Sequence, residues 1–360
     1  MRGVGDLPLP QTLAGALRTH VWRQLGLNFE HLAERVWQEL SAESDLTTVV
    51  AALLPAADAW AAYIKMRGPW LAIAQADSTT PRPLIPMPAD LATVGKKSTE
   101  GEIIRLRPRQ HVPPGWHPLQ PGMVPFWEAE HADFEPAQGY LTLDGVQCYL
   151  DGDIPDKAQQ MQPNALYAWE DRVGIAVEAD RNRAEDHMLY SVRLLRLHRG
   201  VSFYAEVEVD DAHAVDAKQW LQGTLAFGGE GRRAQVTVLS EPVTWPQPTA
   251  TGAGMLAVLL TPGIFGLQTS PSSDVSPWRP ERANLPPLMA AAVPGHRAIA
   301  GWDMARRHAK PTRFAVLEGS VYCFAGMLPD VSGSPFLHLN QSELDTLGYG
   351  LALKGVWQYA

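Results

Sequence analysis

Two short stretches concentrate side chains able to hold a phosphate backbone. GGEGRR (228–233) sets three glycines beside two arginines. Gly228 and Gly229 let the backbone turn through positive φ and come close to a phosphate, while Arg232 and Arg233 offer planar forks that match phosphate oxygens. The Lys-Ser/Thr element of a P-loop is missing and the glycine spacing is not that of a dinucleotide fingerprint. A tight turn between helix and strand is therefore the competing reading. GWDMARRHAKPTR (301–313) joins Trp302, whose indole can stack on a base, to Arg306, Arg307 and Lys310, which can track a backbone. Its alternative is a solvated charged loop.

Three further sites offer arginines. IIRLRPRQH (103–111) alternates apolar and basic residues, which puts Arg105, Arg107 and Arg109 on one strand face. That face is either an RNA-contacting hairpin or an exposed strand with solvated arginines. Arg18 flanks the apolar stripe of an early helix. Arg172 stands beside Glu170 and Asp171, so a local ion pair competes with an RNA contact.

Hydrolytic chemistry finds little support. Eleven histidines invite a nuclease hypothesis, with His20 as the general-base candidate, but His20 lies close to an apolar helix face, where a satisfied core histidine is the simpler account. There is no HExxH, no HD pair and no clustered acidic trio for a metal, and no nucleophile-elbow context. Catalytic residues, metal and cofactor are all expected to be absent.

The elements that must position these groups follow from periodicity. Pro8 and Pro10 in LPLPQTLAGALR (7–18) make an extended lead-in. A helix then opens at Gln11 and Thr12, with Leu13, Leu17, Val21 and Leu25 on one face. Residues 29–40 and 46–54 read as a helical insertion, ended by Pro69. Short extended pieces follow at 70–74 and 84–87, and GKKSTEGE (95–102) reads as a polar tip. Segments 173–177, 188–197 and 201–209 suggest a β-meander around the turn HRG. Helix 216–221, strand 234–239 and helix 254–260 complete a βαββαβ-like succession. The fold class is α+β with two ferredoxin-like domains: 1–160, carrying the helical insertion, and 161–360.

At 360 residues, 46% hydrophobic and 19% charged, the chain has the composition of a folded soluble protein. Thirty glycines and thirty prolines imply many turns, and twelve tryptophans imply buried or interfacial anchors. Cys148 and Cys323 lie far apart and read as apolar thiols. No charged-then-apolar leader opens the chain and the run 255–267 is too short to span a bilayer, so a cytoplasmic protein with no membrane partner is expected. The net charge is −9, unevenly distributed. Residues 126–156 carry eight acidic groups and no Lys or Arg, whereas 278–313 carry seven basic groups against two acidic. An acidic protein with a local basic groove can hold RNA while limiting nonspecific binding.

The lead-in LPLPQTLAGALR, GPWLAIAQADSTTPRPLIPMPADL (68–91), RVGIAVEADRNRAEDHMLYSVRLLRL (172–197), LAFGGEGRRAQV (225–236), AGWDMARRHAKPTRFAVLEGSVYCF (300–324) and GYGLALKGVW (348–357) occur in the order found in one family. The chain resembles subunit 3 of the Cmr effector complex, the type III-B CRISPR system, within the RAMP superfamily of ferredoxin-like RNA-binding proteins. This resemblance implies a noncatalytic, antiviral-defence subunit. It would bind the 5′ tag of the crRNA and dock against the large polymerase-like (cyclase) subunit and the first backbone subunit. It also implies a protruding β-hairpin thumb, for which 103–111 is the candidate, and it favours RNA contact at Arg172 and at the Gly-rich segment. A metal-independent endoribonuclease that processes precursor crRNA and a purely protein-binding scaffold are the alternatives. The family has a strand ahead of the Pro-rich lead-in. The chain is thus expected to start about one strand late, leaving its first helix on a sheet with a gap or exposed edge.

Overall fold

The computed structural model describes residues 7–39, 46–76, 78–95, 101–111, 114–118, 122–128, 130–131, 133–177, 184–229, 231–266, 277–280, 284–303, 308–329, 334–340 and 342–360. Helix α1 (Pro10–Gln24) begins one residue before the expected start, because proline at the first helical position gives up only an N–H that has no intrahelical acceptor. Its face Leu13, Ala14, Leu17, Val21 and Trp22 is buried. The Trp22 indole donates to the Ala61 carbonyl at 2.8 Å. Helices α2 (Phe29–Glu39) and α3 (Leu46–Leu53), with a 3-10 turn at Ala56–Tyr63, form the helical insertion.

Strand β1 (Lys65–Gln75) is longer than the expected extended piece. It carries Pro69 in its interior because the register shifts between Arg67 and Trp70, a bulge where no ladder donor is needed. It is followed by β2 (Ser78–Pro83), β3 (Ile85–Pro86), β4 (Leu91–Val94), β5 (Ile103–Arg105), β6 (Arg107–Pro108), β7 (Phe126–Trp127), β8 (Phe134–Pro136) and β9 (Tyr140–Leu141). Helix α4 (Leu143–Leu150), capped by Thr142, β10 (Gln160–Met161) and the single turn α5 (Pro163–Leu166) lead into a long two-stranded ribbon, β11 (Tyr167–Val177) and β12 (Ala184–Leu197). Strand β13 (Val201–Glu208) crosses back to pair antiparallel with β1, giving the order β13-β1-β2. The expected meander is therefore corrected: β12 and β13 share a turn but not a sheet. Strands from both sides of residue 160 share this sheet.

Helix α6 (Ala214–Leu221) precedes the hairpin β14 (Gly223–Ala226) and β15 (Arg233–Val236). Next comes β16 (Gly254–Leu259), at the centre of a five-stranded antiparallel sheet. That sheet takes in β17 (Leu288–Ala292), β22 (Val321–Phe324), β23 (Phe336–His338) and β24 (Leu351–Trp357), in the order β17-β22-β16-β24-β23. The expected helix at 254–260 is thus a strand. GMLAVL is apolar on both faces because both faces of the sheet are covered, and such a run has no period to separate helix from strand. With that helix gone, the βαββαβ succession read for the second half does not hold. Between β17 and β22 the chain runs through an arm made of β18 (His296–Ile299), β19 (Trp302–Asp303), β20 (His308–Ala309) and β21 (Arg313–Val316). The short helix α7 (Ser342–Asp345) precedes β24.

The fold is α+β, with its main core between two sheets and α4. Trp70, Ala72 and Tyr204 from the β13-β1-β2 sheet meet Leu256, Val258, Val321 and Leu353 from the five-stranded sheet, with Val146, Tyr149 and Leu150 of α4. A second core buries α1 against Met66 and, through partly buried side chains, against Ala205 and Val207. Residues 1–6, on which the expectation of a missing first strand largely falls, lie outside the described residues. Residues 7–9 carry no strand.

Candidate RNA interface

The Gly-rich segment is the turn of the β14–β15 hairpin. Phe227 N–H donates to the Arg232 carbonyl at 3.0 Å, and the loop between them passes through Gly228 (φ +81°) and Gly231 (φ +67°), left-handed positions that glycine adopts without steric cost. The hairpin is held by its apolar side: Leu225 is buried on the α1 core, with Phe227, Ala234 and Val236 packed beside it. The Phe227 ring lies 6.2 Å from that of Phe203 on β13. Phe203 and Leu7 of the Pro-rich lead-in pack on one cluster, Leu71, Leu84 and Leu166. The turn, α1 and the lead-in thus gather on one side of the β13-β1-β2 sheet. At the tip Gly228, Gly229, Arg232 and Arg233 are exposed. Neither arginine has an ion-pair partner among the described residues.

The 296–316 arm meets the same helix at its start. The Gln11 side chain donates to the Ala300 carbonyl at 3.1 Å, and Lys310 N–H donates to the Gly301 carbonyl at 2.8 Å. Trp302 is 58% exposed and Lys310 is exposed beside it. Arg306 and Arg307 fall outside the described residues. Helix α1 is therefore the common support: its first turn holds the arm and its flank holds the Gly-rich hairpin.

The remaining arginines are placed differently. Arg18 donates to the Ile64 carbonyl at 2.7 Å, which ties α1 to the start of β1. Arg172 is exposed on β11 and pairs with Glu170 at 2.9 Å, the local alternative noted from sequence. Arg105 requires a correction. It is 7% exposed, its Nε reaches Asp90 Oδ2 at 3.1 Å, one Nη donates to the Tyr149 carbonyl at 2.9 Å, and its guanidinium stacks 4.1 Å from the Tyr149 ring centre. The Tyr149 hydroxyl completes the triad by donating to Asp90 Oδ1 at 2.7 Å. Burial pushes the Asp90 carboxyl up, against the pull of the facing guanidinium. A guanidinium so enclosed has no face for RNA. The one-face reading of Arg105, Arg107 and Arg109 fails because the strand breaks at Leu106, whose N–H bonds the Asp90 carbonyl at 2.7 Å and interrupts the alternation. Arg107 is half-buried, and Arg109 sits 5.4 Å from the Trp127 ring centre.

A cleft of about 540 Å³ opens between the lead-in and the sheets, walled by Pro8, Pro69, Met87, Tyr140 and Tyr167, with the Arg297–Glu318 pair at one side. Burial holds the Tyr140 phenol well above its ordinary range. His20 is half-buried, its Nε2 2.7 Å from Gln24 Nε2. Glu128, Glu130 and His131 place ligand atoms within 4.8 Å of one another, a grouping not noted from the sequence although its Glu-x-Glu-His spacing is local. Cys323 is a free buried thiol pushed up by burial, and Cys148 is free as well. No described helix is long and apolar enough to cross a membrane.

Sequence reasoning also passed over His296 and Phe314. Their signal was the alternation within HRAI and RFAV, each placing one ring on the outward face of its strand.

A family model described as CRISPR-associated protein (Cas_Cmr3) matches residues 6–357. Among solved structures, the chain is similar to one in the cryo-EM structure of the type III-B Cmr-beta bound to cognate target RNA and AMPPnP, at 16% identity over 89% of this chain and 78% of that one, TM-score 0.46. A second Cmr-beta structure, bound to cognate target RNA, gives 16% identity over 89% and 77%, TM-score 0.47. A crystal structure of a Csm1-Csm4 cassette in complex with AMPPNP gives 13% identity over 99% and 93%, TM-score 0.32. No curated protein matches the chain.

Proposed function

The chain belongs to the Cas_Cmr3 family of CRISPR-associated proteins, and from that premise we propose that it is a noncatalytic subunit of a type III-B effector complex that holds the 5′ tag of the crRNA. The observation that carries this reading is the pair of basic hairpins supported by α1. Arg232 and Arg233 stand on an exposed glycine turn with no described carboxylate partner, and Lys310 and Trp302 stand on the arm that docks at Gln11. Such an arrangement suits RNA. Arginine forks meet phosphate oxygens, glycines let the strand approach the backbone, and an open indole takes a base. Arg306 belongs to the same set by sequence. Arg18 and Arg172 contribute field rather than direct contact, because their nitrogens hold Ile64 and Glu170.

The docking partners in this reading are the large polymerase-like subunit and the first backbone subunit. The acidic stretch 126–156, with Trp127 and Phe134 at its surface, offers a protein-binding face that repels RNA.

The test is copurification of the chain with the products of its neighbouring genes. The wild type brings down a guide RNA of fixed 5′ end. The combined Arg232→Ala, Arg233→Ala, Lys310→Ala variant assembles but loses guide occupancy and salt-dependent affinity. Unchanged affinity in that variant overturns the site. Cleavage of repeat RNA by the purified chain, lost on His20→Ala, replaces the reading with the endoribonuclease.

A further inference from the structure

We propose that the outer face of the 296–316 arm is a base-stacking platform for single-stranded RNA, formed by His296 and Phe314; this rests on the RNA-binding reading above and adds to its phosphate contacts a surface that reads bases. The register of β18 and β21 pairs His296 with Val316 and Ala298 with Phe314, so these four residues share one face, while Arg297, Ile299, Arg313 and Ala315 share the other. The second face turns inward: Ile299 and Ala315 are buried, and Arg297 pairs with Glu318. On the first face only the root is covered. Val316 is 2% exposed where it bridges to Gly263, whereas Phe314, one pleat further out, is 56% exposed. The imidazole of His296 meets the Phe314 ring edge to face, at 5.6 Å between centres and 74° between planes. Ala298 is the small neighbour on that face, which leaves space above the phenyl ring.

A lone exposed aromatic needs no explanation. Here Phe314 and Trp302 are both more than half exposed on one arm, with His296 and His308 open beside them. The surroundings choose between RNA and protein as the occupant. Lys310 is exposed on the same arm, and 278–313 carries seven basic residues against two acidic ones. Rings interleaved with cations match a strand whose bases stack while its phosphates meet positive charge. A protein-docking face would pair such aromatics with a polar rim of both signs.

The measurement uses the full chain and two labelled probes, a short oligouridylate and the abasic ribose-phosphate strand of equal length. The wild type binds the base-bearing strand more tightly. Phe314→Ala and His296→Ala each lower that affinity by about tenfold and leave the abasic strand unaffected. Phe314→Leu, which keeps apolar area but removes the ring, behaves like Phe314→Ala, and an unchanged circular dichroism spectrum shows that the arm remains folded. Equal losses on both strands, no loss, or full activity of Phe314→Leu overturn the platform and leave the phosphate-contact reading standing. A wild type that holds neither strand overturns both. If Phe314→Ala releases a partner protein from the assembled complex while oligouridylate affinity is unchanged, the face is a protein-docking surface and the proposal falls.

Discussion

Two hairpins carry arginines into this molecule and use them in opposite ways. In β4–β5, Leu91 pairs with Arg105 and the guanidinium points into the core, where Asp90 and the Tyr149 carbonyl and ring take it up. In β14–β15, Arg233 pairs with Ala226 at the turn end of the hairpin, and Arg232 and Arg233 face solvent. The backbone ladders are alike. The surroundings differ: β4 lies between β5 and β8 and backs onto α4, while the Gly-rich hairpin has two strands and one apolar side. An arginine in the first setting is a structural tie, and in the second it is available to a ligand.

The contrast breaks first at Arg105. Arg105→Ala leaves a buried carboxylate uncompensated and lowers the unfolding free energy by about 3–5 kcal/mol in urea denaturation. Asp90→Leu with Arg105→Met costs less than the single change, since the charge goes with its partner. Arg232→Ala with Arg233→Ala stays within about 0.5 kcal/mol of the wild type in the same titration. That variant instead lowers the slope of log affinity against log salt by about 1.4 for single-stranded RNA.

Glycine substitutions test the same division between body and periphery. A Cβ at Gly254 runs into the Phe324 carbonyl and the Trp357 indole, so Gly254→Ala costs about 1–3 kcal/mol by overpacking the central strand. At Gly228 the space is open and only the left-handed backbone opposes a side chain, so Gly228→Ala costs about 1 kcal/mol. Thermal or urea unfolding of the two variants checks the order.

The smallest effect is a titration. Burial would raise the Asp151 carboxyl, yet donors from Gln147, Thr249 and Ala250 hold it below its ordinary 3.8. Its contribution is therefore present above that value and is lost as the pH falls through the lower folded-state value. Asp151→Asn flattens this acid limb of the stability profile, which acid denaturation followed by fluorescence records.

Local pattern made α1, the helical insertion, α6 and the Gly-rich turn legible in the sequence, because each rests on spacing within a dozen residues. What stayed hidden depends on partners far along the chain. Arg105 looked solvent-facing because Asp90 and Tyr149, which claim it, are brought in by β4 and α4. Residues 254–259 looked helical because a run covered on both faces carries no period. The arm at 296–316 was read only through its basic tip, while the ring pair nearer its root needed the β18–β21 register to be seen. Of the candidate RNA contacts, the glycine turn joins two strands and not a helix and a strand, Trp302 stands on a strand and not in a loop, and Arg105 is buried.

The pairing of β1 with β13 carries a consequence for how the chain is made. Lys65 faces Glu208 across the ladder, so the sheet beneath α1 cannot close until more than a hundred further residues have been synthesised. At roughly 5–20 residues per second, β1 waits roughly 7–29 s for its neighbour on the ribosome. During that interval Met66 and Leu71, both buried in the finished protein, lie on a sheet that lacks β13. Trp70 and Ala72 stay open longer still, because Leu256, Val258, Val321 and Leu353, which cover them in the finished protein, are made later.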